Sequence, residues 1–308
     1  MCSRTKLFLC PGALVFCKRG DILESKFIRK EKWIGLSFIS PSLIGQFMFF
    51  FIPILITLYY SMIDNPMSKE FVGLDNYINI WNNSIFLRAM KNTFIFTGIS
   101  VGLIMILSLG LAMLLNKPLY LRNIFRSCFM VPLIVPSASI LMVWQVFFNF
   151  NGTLNNIITT LGFDPVDWMN SGYSRWIVII FYIWKNIGYD MVLFLAALQN
   201  IPKEQYEAAS IDGASNIQKF RHITFINILP TFFFVFIISI TNSFKIFREV
   251  YLLGGQYPYE DLYMLQHYIN NLFNVLDYQM LSVSAIYMAT FIFIVVLFWK
   301  KVENKLDI

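Results

Sequence analysis

Four polar side chains lie at helical spacing within the largely apolar segment 176–198. Tyr182, Lys185, Asn186 and Tyr189 follow the i, i+3, i+4, i+7 pattern, which places them on one face of a helix. Polar groups within a membrane-spanning helix usually face a cavity or a neighbouring helix. Tyrosine rings stack on sugar rings, and an asparagine amide hydrogen-bonds hydroxyl groups. The four residues are therefore candidate substrate-path residues, and the chemistry of Tyr182, Asn186 and Tyr189 suits a carbohydrate.

Lys185 is the unusual member of this set, because a buried amine either loses its charge or binds an anion. One interpretation is an acidic or phosphorylated sugar substrate. Another is an ion pair within the membrane, with Asp190 or with a carboxylate of a second subunit. A direct contact with Asp190 would be awkward, since five residues of helix place the two side chains about 140° apart. The sequence leaves these interpretations open.

A second polar cluster, Thr241-Asn242-Ser243, ends the apolar segment 223–243. Asn242 and Ser243 join the candidate substrate-path residues, because this end of the segment can line the same cavity. It can equally be the interfacial end of a helix.

Motifs typical of enzymes do not occur in the sequence. A phosphate-binding loop G-x-x-x-x-G-K-[ST] and an H-E-x-x-H metal motif are both missing. The histidines, His222 and His267, are expected at a membrane boundary and in an outer loop. The four cysteines have no metal-ligand spacing and are interpreted as free thiols. We therefore predict no catalytic residue, no metal site and no bound cofactor. Any energy that the protein uses would therefore come from outside the chain, either from a partner that uses ATP and magnesium or from an ion gradient.

Composition indicates an integral membrane protein. Hydrophobic residues make up 57% of the chain and charged residues 14%, whereas about 25% of residues are charged in soluble domains. A hydrocarbon core about 30 Å thick needs roughly 20 apolar residues of helix. Six stretches meet this requirement: Trp33–Tyr60, Phe94–Leu115, Ser127–Phe148, Trp176–Leu198, Ile223–Ser243 and Met280–Trp299. The predicted fold is all-α, with one six-helix transmembrane domain over residues 33–302.

Lys and Arg residues predict the orientation of these spans. With residues 1–32 in the cytoplasm, the cytoplasmic segments hold 17 of the 24 Lys and Arg residues, and the outer segments hold six. This bias obeys the positive-inside rule. It also accounts for the net charge of +6 without a nucleic-acid partner. We expect residues 1–32 to be a cytoplasmic extension and residues 303–308 a cytoplasmic tail.

A charged loop, residues 199–224, separates the fourth and fifth apolar stretches. Pro202 can begin a helix at its first turn. Glu204 and Glu207 would then lie where the helix dipole favours acids. Asp212-Gly213 is expected to end the helix, since glycine readily adopts a positive φ. A second helical piece would lead into the fifth span.

The loop has two readings on physical grounds alone. It is either a solvated connection or a docking helix whose small residues, Ala208 and Ala209, permit close approach by a partner. In the second case, an acid such as Glu207 would reach a basic side chain of that partner.

The residue order resembles the signature loop of the permease subunits of ATP-binding-cassette sugar importers, in the maltose and glycerol-phosphate branch. In that family an E-A-A triplet is followed at fixed offsets by D-G-A, F, I-T-L-P and a second proline. The matching positions here are Glu207-Ala208-Ala209, Asp212-Gly213-Ala214, Phe220, Ile223-Thr224 and Pro230. Phe225 and Ile226 depart from the pattern. Phe71–Tyr77 also resembles the family, and the similarity extends over about residues 33–302.

The resemblance implies a type I importer permease fold with a cytoplasmic coupling helix between the fourth and fifth spans. Glu207 would pair with a basic residue of an ATPase subunit, and Gly213 would allow the turn. Ala208, Ala209 and Asp212 complete the coupling residues. In maltose-type members, positions that match Tyr182, Lys185, Asn186 and Tyr189 contribute to the sugar site.

The resemblance also implies partners. They are a second permease subunit that differs from this one, two cytoplasmic ATP-binding subunits and an external or periplasmic sugar-binding protein. The chain would lie in a bacterial plasma (inner) membrane, with both termini in the cytoplasm and no nucleic-acid partner.

Three other functions are weighed. An ion-coupled secondary transporter would use Lys185 and Asp190 as a relay, but it leaves the charged loop without a role. A membrane enzyme would need a catalytic constellation. An amino-acid or peptide permease is possible within the family, but Phe71–Tyr77 and Asp212-Gly213-Ala214 favour the sugar branch.

Overall fold

The computed structural model describes residues 34–305. The predicted cytoplasmic extension, residues 1–32, lies outside this range, as do the last three residues of the predicted tail 303–308. The chain divides into two compact units, Met1–Ile56 and Thr57–Ile308. In the first unit, residues 34–56 form an apolar helix with a π turn at Phe47–Phe51. The sites described below all lie in the second unit.

Regular structure within the described range is helical, apart from one antiparallel bridge between Ile63 and Phe71. A π turn occupies Phe220–Thr224. The helices, in chain order, are α1 Ile34–Ser61, α2 Asp75–Asn79, α3 Ser84–Asn116, α4 Arg122–Ile134, α5 Ser137–Phe148, α6 Thr153–Thr160, α7 Ser174–Gln199, α8 Lys203–Ile211, α9 Asn216–Lys219, α10 Phe225–Phe244, α11 Phe247–Gly254, α12 Leu265–Asn274 and α13 Tyr278–Lys305.

Five helical segments between residues 34 and 305 are long and apolar enough to cross a membrane. They are α1, α3, α7, the run Asn216–Gly254 that contains α10, and α13 as far as Glu303. A sixth crossing results when the bent pair Arg122–Ile134 and Ser137–Thr160 is counted as one span. The prediction of an all-α membrane protein is confirmed, and its six apolar stretches fall in these segments, apart from Trp33, which lies outside the described residues.

The third predicted span is not one continuous helix, as Ser127–Phe148 had implied. Its two segments meet at an angle of 93°. The cause lies in Pro136, whose ring disfavours the α conformation in the preceding residue. Val135 is accordingly extended, with φ −70° and ψ 136°. The break brings Ser137, the first residue of α5, to the side of α7.

Helix α7 is the centre of the packing. It lies along α3, and both α4 and α10 pack against it. Gly188 allows α4 to approach closely, because an added Cβ would collide with the backbone carbonyl of Phe129. Such small residues are typical of helix crossings in membranes. Further along α7, Met191 and Phe194 form a buried cluster with residues of α10.

Polar contacts fix the end of the bundle that is remote from α8. The Arg175 guanidinium donates to Asn92 Oδ1 at 3.1 Å and to Asp261 Oδ1 at 2.8 Å. Asn92 Nδ2 in turn donates to the carbonyl of Glu260 at 2.7 Å. These bonds tie α3, α7 and the segment after α11 together.

His267 is fully buried in a helix between the fifth and sixth spans, and not exposed in a loop as expected. It lies in α12, where its ring packs against Phe247 with centroids 4.7 Å apart. Its Nδ1 accepts a hydrogen bond from the Met264 N–H at 3.4 Å. Its Nε2 has no hydrogen-bond partner among the described residues. Burial lowers the pKa of His267 to about 4, because the charged imidazolium is poorly solvated there.

Candidate functional site

A cavity of about 660 Å³ opens where α7 meets the break between α4 and α5. We refer to it as the central cavity. Its walls also include the end of α10, the start of α11 and Gln266 of α12. Four of the six predicted substrate-path residues line it: Tyr182, Lys185, Asn186 and Asn242.

Lys185 forms an ion pair that the sequence did not predict. Its Nζ donates to Glu249 Oε1 of α11 at 2.5 Å and to the Ser137 hydroxyl at 2.6 Å. The side chains of Lys185 and Glu249 are only 14% and 5% exposed. The pair with Asp190 that the sequence left open does not form, because Asp190 is buried and accepts a hydrogen bond from the Ser239 hydroxyl at 2.8 Å.

This ion pair satisfies the charge of Lys185 within the chain. The cavity itself supplies the anion that the amine needs, so Lys185 does not require a substrate carboxylate or phosphate. The proposed relay between Lys185 and Asp190 is likewise not assembled. Glu249 was missed because it lies 64 residues further along the chain. The only sequence signal is a charged group, Arg248-Glu249, soon after the polar end of α10.

Two further cations lie in the central cavity, and both are exposed. Lys245 and Arg248 line its wall beside Glu249. The Arg248 guanidinium is 3.7 Å from Glu249 Oε1 and 3.5 Å from the Ser137 hydroxyl. Two basic side chains, Lys185 and Arg248, therefore share one acid. The N–H groups of the exposed Lys245 and Arg248 can donate to hydroxyl oxygens of a ligand.

The amides of the cavity retain hydrogen-bonding capacity. Asn186 Nδ2 donates to the carbonyl of Tyr182 at 2.9 Å, which leaves its Oδ1 free to accept. The Asn242 side chain has no hydrogen bond within residues 34–305. Tyr182 contributes only its ring to the wall, because its hydroxyl is buried and donates to the carbonyl of Ser239 at 2.7 Å.

The other two predicted substrate-path residues lie elsewhere. Ser243 is buried on the side of α10 that faces α3, where its hydroxyl lies 3.0 Å from that of Thr97. Tyr189 is half-buried one turn beyond Asn186 on α7, and it is not part of the cavity wall. One helical face therefore reaches the cavity only over its first part, Tyr182 to Asn186.

The charged loop folds as predicted, into a short helix and a sharp turn. Helix α8 begins after Pro202, and Asp212 is the residue that follows its last turn. Gly213 adopts a φ of +76°. The Gly213 N–H donates to the carbonyl of Ser210 at 3.2 Å, and the Ala214 N–H donates to that of Ala209 at 2.9 Å. This is the Schellman arrangement, which satisfies the last carbonyls of a helix.

Side-chain contacts hold α8 against the start of the next span. The Tyr206 hydroxyl is 2.9 Å from that of Thr224, and Lys219 Nζ donates to the Ser210 hydroxyl at 2.7 Å. A capping box between Ser215 and Gln218 starts α9. We refer to residues 203–219 as the coupling elbow, a unit fixed by its own hydrogen bonds.

The outer surface of the coupling elbow combines an acid with uncovered apolar side chains. Glu207 and Ala208 are exposed, and Ala209 is half-buried. Ile211 is 88% exposed and Ile217 is 79% exposed. Two large apolar side chains are therefore uncovered within one short polar segment, which is compatible with a protein-binding surface. The sequence motif did not single out these two isoleucines, although their position in a polar loop was a signal.

Comparison with known proteins identifies the family. Residues 98–307 match the family described as binding-protein-dependent transport system inner membrane component. This chain belongs to that family. It is therefore a multi-pass membrane protein and a transport permease, and the resemblance inferred from the charged loop is confirmed.

Two relatives of the permease agree with this assignment. It is 31% identical over 277 residues to the trehalose/maltose transport system permease protein MalF of Thermococcus litoralis, a match that covers 88% of this chain and 93% of the relative. It is 35% identical over 221 residues to the arabinooligosaccharides transport system permease protein AraP of Bacillus subtilis, with 70% of each chain covered.

The fold of the permease matches that of a known importer. A chain of a bacterial ABC transporter involved in the import of the acidic polysaccharide alginate superposes with a TM-score of 0.79 and 25% identity. The match covers 90% of this chain and 96% of that chain. The predicted fold of a type I importer permease is therefore confirmed.

Proposed function

We propose that this chain is one permease subunit of an ATP-driven importer of sugars, chiefly oligosaccharides, and that it forms half of the translocation path. The observation that carries the proposal is the connection between two sites. Helix α7 lines the central cavity with Lys185 and Asn186 and ends at the coupling elbow. The names of relatives that transport trehalose, maltose and arabinooligosaccharides support the substrate class.

In this proposal the chain hydrolyses no ATP and binds no cofactor. Two cytoplasmic ATPase subunits use ATP and magnesium, and a second, different permease subunit completes the path. A sugar-binding protein delivers substrate from outside. Both termini and the coupling elbow lie in the cytoplasm, as the excess of Lys and Arg on that side indicates.

Coupling would work through the attachment of the elbow to two spans. Helix α8 follows directly after α7, and the contact between Tyr206 and Thr224 joins it to the start of α10. These two spans carry Asn186 and Asn242, which face the central cavity. A displacement of α8 by an ATPase subunit would therefore move two walls of the cavity together.

Within the coupling elbow, Glu207 would pair with a basic residue of the ATPase subunit, beside Ala208 and Ala209. Asp212 and Gly213 would form the turn that orients the elbow. The exposed Ile211 and Ile217 would add apolar contact area. In the cavity, Asn186 and Asn242 would bind sugar hydroxyls, and the ring of Tyr182 would form part of the wall.

The test is uptake of radiolabelled sugars by cells that carry Glu207→Ala in the complete importer. The panel comprises trehalose, maltose and arabino-oligosaccharides. We expect uptake to fall at least tenfold while the amount of protein in the membrane stays unchanged. An exposed ion pair contributes only about 0–1 kcal/mol, so the loss reflects docking geometry rather than unfolding.

Glu204→Ala is the matched control, because Glu204 is an exposed acid in the first turn of the same helix. It should leave uptake within twofold of the parent. Normal uptake by Glu207→Ala, together with its arrest by a proton uncoupler, would instead favour an ion-coupled transporter.

A further inference from the structure

A second pocket lies beside the central cavity and shares no lining residue with it. It has a volume of about 450 Å³ and lies between the end of α5, the loop that follows, and the segment after α11. We refer to it as the rim pocket. In the proposed orientation it opens on the outer side of the membrane.

One wall of the rim pocket is held by a buried asparagine. Asn155 Nδ2 donates to the carbonyls of Phe150 and Val166, both at 2.8 Å. Its Oδ1 accepts hydrogen bonds from the Val166 N–H at 3.2 Å and from Trp168 Nε1 at 2.8 Å. One side chain thus fixes the two ends of the loop. As a result, Phe150 and Asp167 are held in the wall of the pocket.

A hydrogen bond and a tight turn fix the wall of the rim pocket on the side of α11. Gln145 Nε2 donates to the carbonyl of Leu252 at 2.8 Å and so joins α5 to α11. At the end of α11, a Cβ on Gly254 would lie 2.7 Å from Pro258 Cβ, so the chain folds back tightly there. This turn presents Tyr257 and Tyr259 to the pocket. Tyr257 is 71% exposed, because the described chain leaves most of its side chain uncovered.

The lining chemistry points to one class of ligand. Aromatic rings and short planar polar side chains both line the rim pocket, with Phe148, Phe150, Tyr257 and Tyr259 among the former and Asn149, Asp167 and Asn170 among the latter. Aromatic faces stack on the apolar faces of sugar rings, and amides and carboxylates bind sugar hydroxyls. A preformed pocket with a few convergent polar groups is the usual form of a small-molecule site.

We propose that the rim pocket is a carbohydrate subsite, which holds the trailing end of an oligosaccharide whose leading end enters the central cavity. This rests on the proposed function and adds chain length to it. Helices α5 and α11 run past both sites: Ser137 and Glu249 line the cavity, whereas Phe148 and Leu253 line the rim pocket. The rise between these lining residues is about 16 Å along α5 and about 6 Å along α11. A disaccharide bound at the Ser137 end of the cavity would therefore leave the Phe148 end of the rim pocket empty, and longer chains would reach it.

The experiment compares substrates of different length in the complete importer, reconstituted in vesicles with saturating binding protein. The probes are maltose against maltohexaose, and arabinobiose against arabinohexaose. Tyr257→Leu and Phe150→Leu remove an aromatic face but keep apolar bulk. Phe163→Leu is the matched control, because Phe163 is exposed in the same loop and is not part of the pocket.

We expect both pocket variants to lower the maximal uptake rate of the hexasaccharide roughly three- to tenfold, the range for one aromatic contact. The disaccharide rate should stay within twofold, and the control should match the parent for both lengths. An equal loss of uptake rate for both sugar lengths, with weaker attachment of the binding protein, would overturn the proposal. The pocket would then be a docking site for that protein.

Unchanged rates for both lengths would also overturn the proposal, since the pocket would then not contact sugar. Absence of uptake of every probe by the parent importer is a different failure, because it refutes the proposed function itself. Asn170→Ala, which removes a polar group and leaves the aromatic wall intact, provides a second variant should a leucine substitution reduce the amount of protein in the membrane.

Discussion

The central cavity and the coupling elbow hold their acidic residues in opposite ways. In the cavity, Glu249 is almost fully buried and is bound by Lys185, with the Ser137 hydroxyl also bound to the same amine. On the elbow, Glu207 is exposed and forms no ion pair within residues 34–305. The buried acid depends on its partner in this chain, whereas the exposed acid is available to another. Substitutions that break the buried pair should therefore affect folding, and substitutions of Glu207 on the elbow should affect transport.

The largest effect is expected from breaking the buried pair. Lys185→Met leaves the carboxylate of Glu249 without its closest cation, which should lower the free energy of unfolding by about 3–5 kcal/mol. Chemical denaturation of the detergent-solubilised protein measures this change. The double variant Lys185→Met/Glu249→Met should recover most of the loss, because no uncompensated charge remains.

Lys245→Met is the control for the buried pair. Lys245 lines the same cavity but is exposed. Its removal should change the free energy of unfolding by less than about 0.5 kcal/mol. A loss as large as that of Lys185→Met would mean that cavity charge in general, and not the buried pair, stabilises the fold.

The buried Gly188 of α7 extends the comparison from side chains to the backbone. Gly188→Ala places a methyl group against the Phe129 carbonyl, which is backbone and cannot rotate aside. We expect a loss of about 3 kcal/mol, the upper end of the range for overpacking. Gly102→Ala is the control, and its free energy of unfolding is measured in the same way. Open space surrounds Gly102 in α3, so this variant should be at least as stable as the parent.

His267 shows what burial does to a group that lacks a charged partner. Its pKa in the folded protein is about 4, below the ordinary value of about 6.5. As the pH falls below about 6.5, the unfolded chain binds a proton that the folded chain does not, so stability declines. The loss should reach about 2 kcal/mol at pH 5.

Unfolding measured between pH 7 and pH 5 tests this linkage. The variant His267→Gln should lose that part of the pH dependence, while the exposed His222 is present in both proteins. An identical slope in parent and variant would place the titration on another group.

The smallest effect on stability is expected at the exposed glycine of the elbow. Gly213→Ala forces an alanine to a φ of +76°, which costs about 1 kcal/mol. Uptake should nevertheless fall severalfold, because this turn sets the direction of α9 relative to α8. Gly213→Asn should retain more uptake, since asparagine tolerates this conformation. Equal uptake by the parent and Gly213→Ala would remove the turn from the coupling mechanism.

Local features of this molecule were predictable from sequence, and contacts between distant elements were not. The end of α8 at Asp212-Gly213 follows from the conformational freedom of glycine. Helix α3 already begins at Ser84 rather than near Phe94, because Arg88 and Lys91 end an apolar stretch without ending a helix. Helices α11 and α12 are short and partly polar, so a search for long apolar stretches does not reveal them.

The candidate site shows the same limit. Helical spacing grouped Tyr182, Lys185 and Asn186 correctly, because they share one turn of one helix. It also grouped Tyr189 with them, although the cavity ends before that turn. The partner of Lys185 could not be deduced, since only the tertiary fold decides which acid it meets. The same holds for Asn155, whose four bonds depend on how the loop closes.

The break at Pro136 has a consequence for insertion into the membrane. Helix α4 is about 20 Å long and α5 about 18 Å, so neither alone covers a hydrocarbon core of about 30 Å. The extended Val135 between them leaves backbone polar groups that lipid cannot satisfy. Ser137 at this break finds its polar partners in later segments of the chain, Lys185 of α7 at 2.6 Å and Arg248 of α11 at 3.5 Å. The third crossing therefore reaches its final form only after the fourth has been synthesised, which makes this pair of spans one unit of biogenesis.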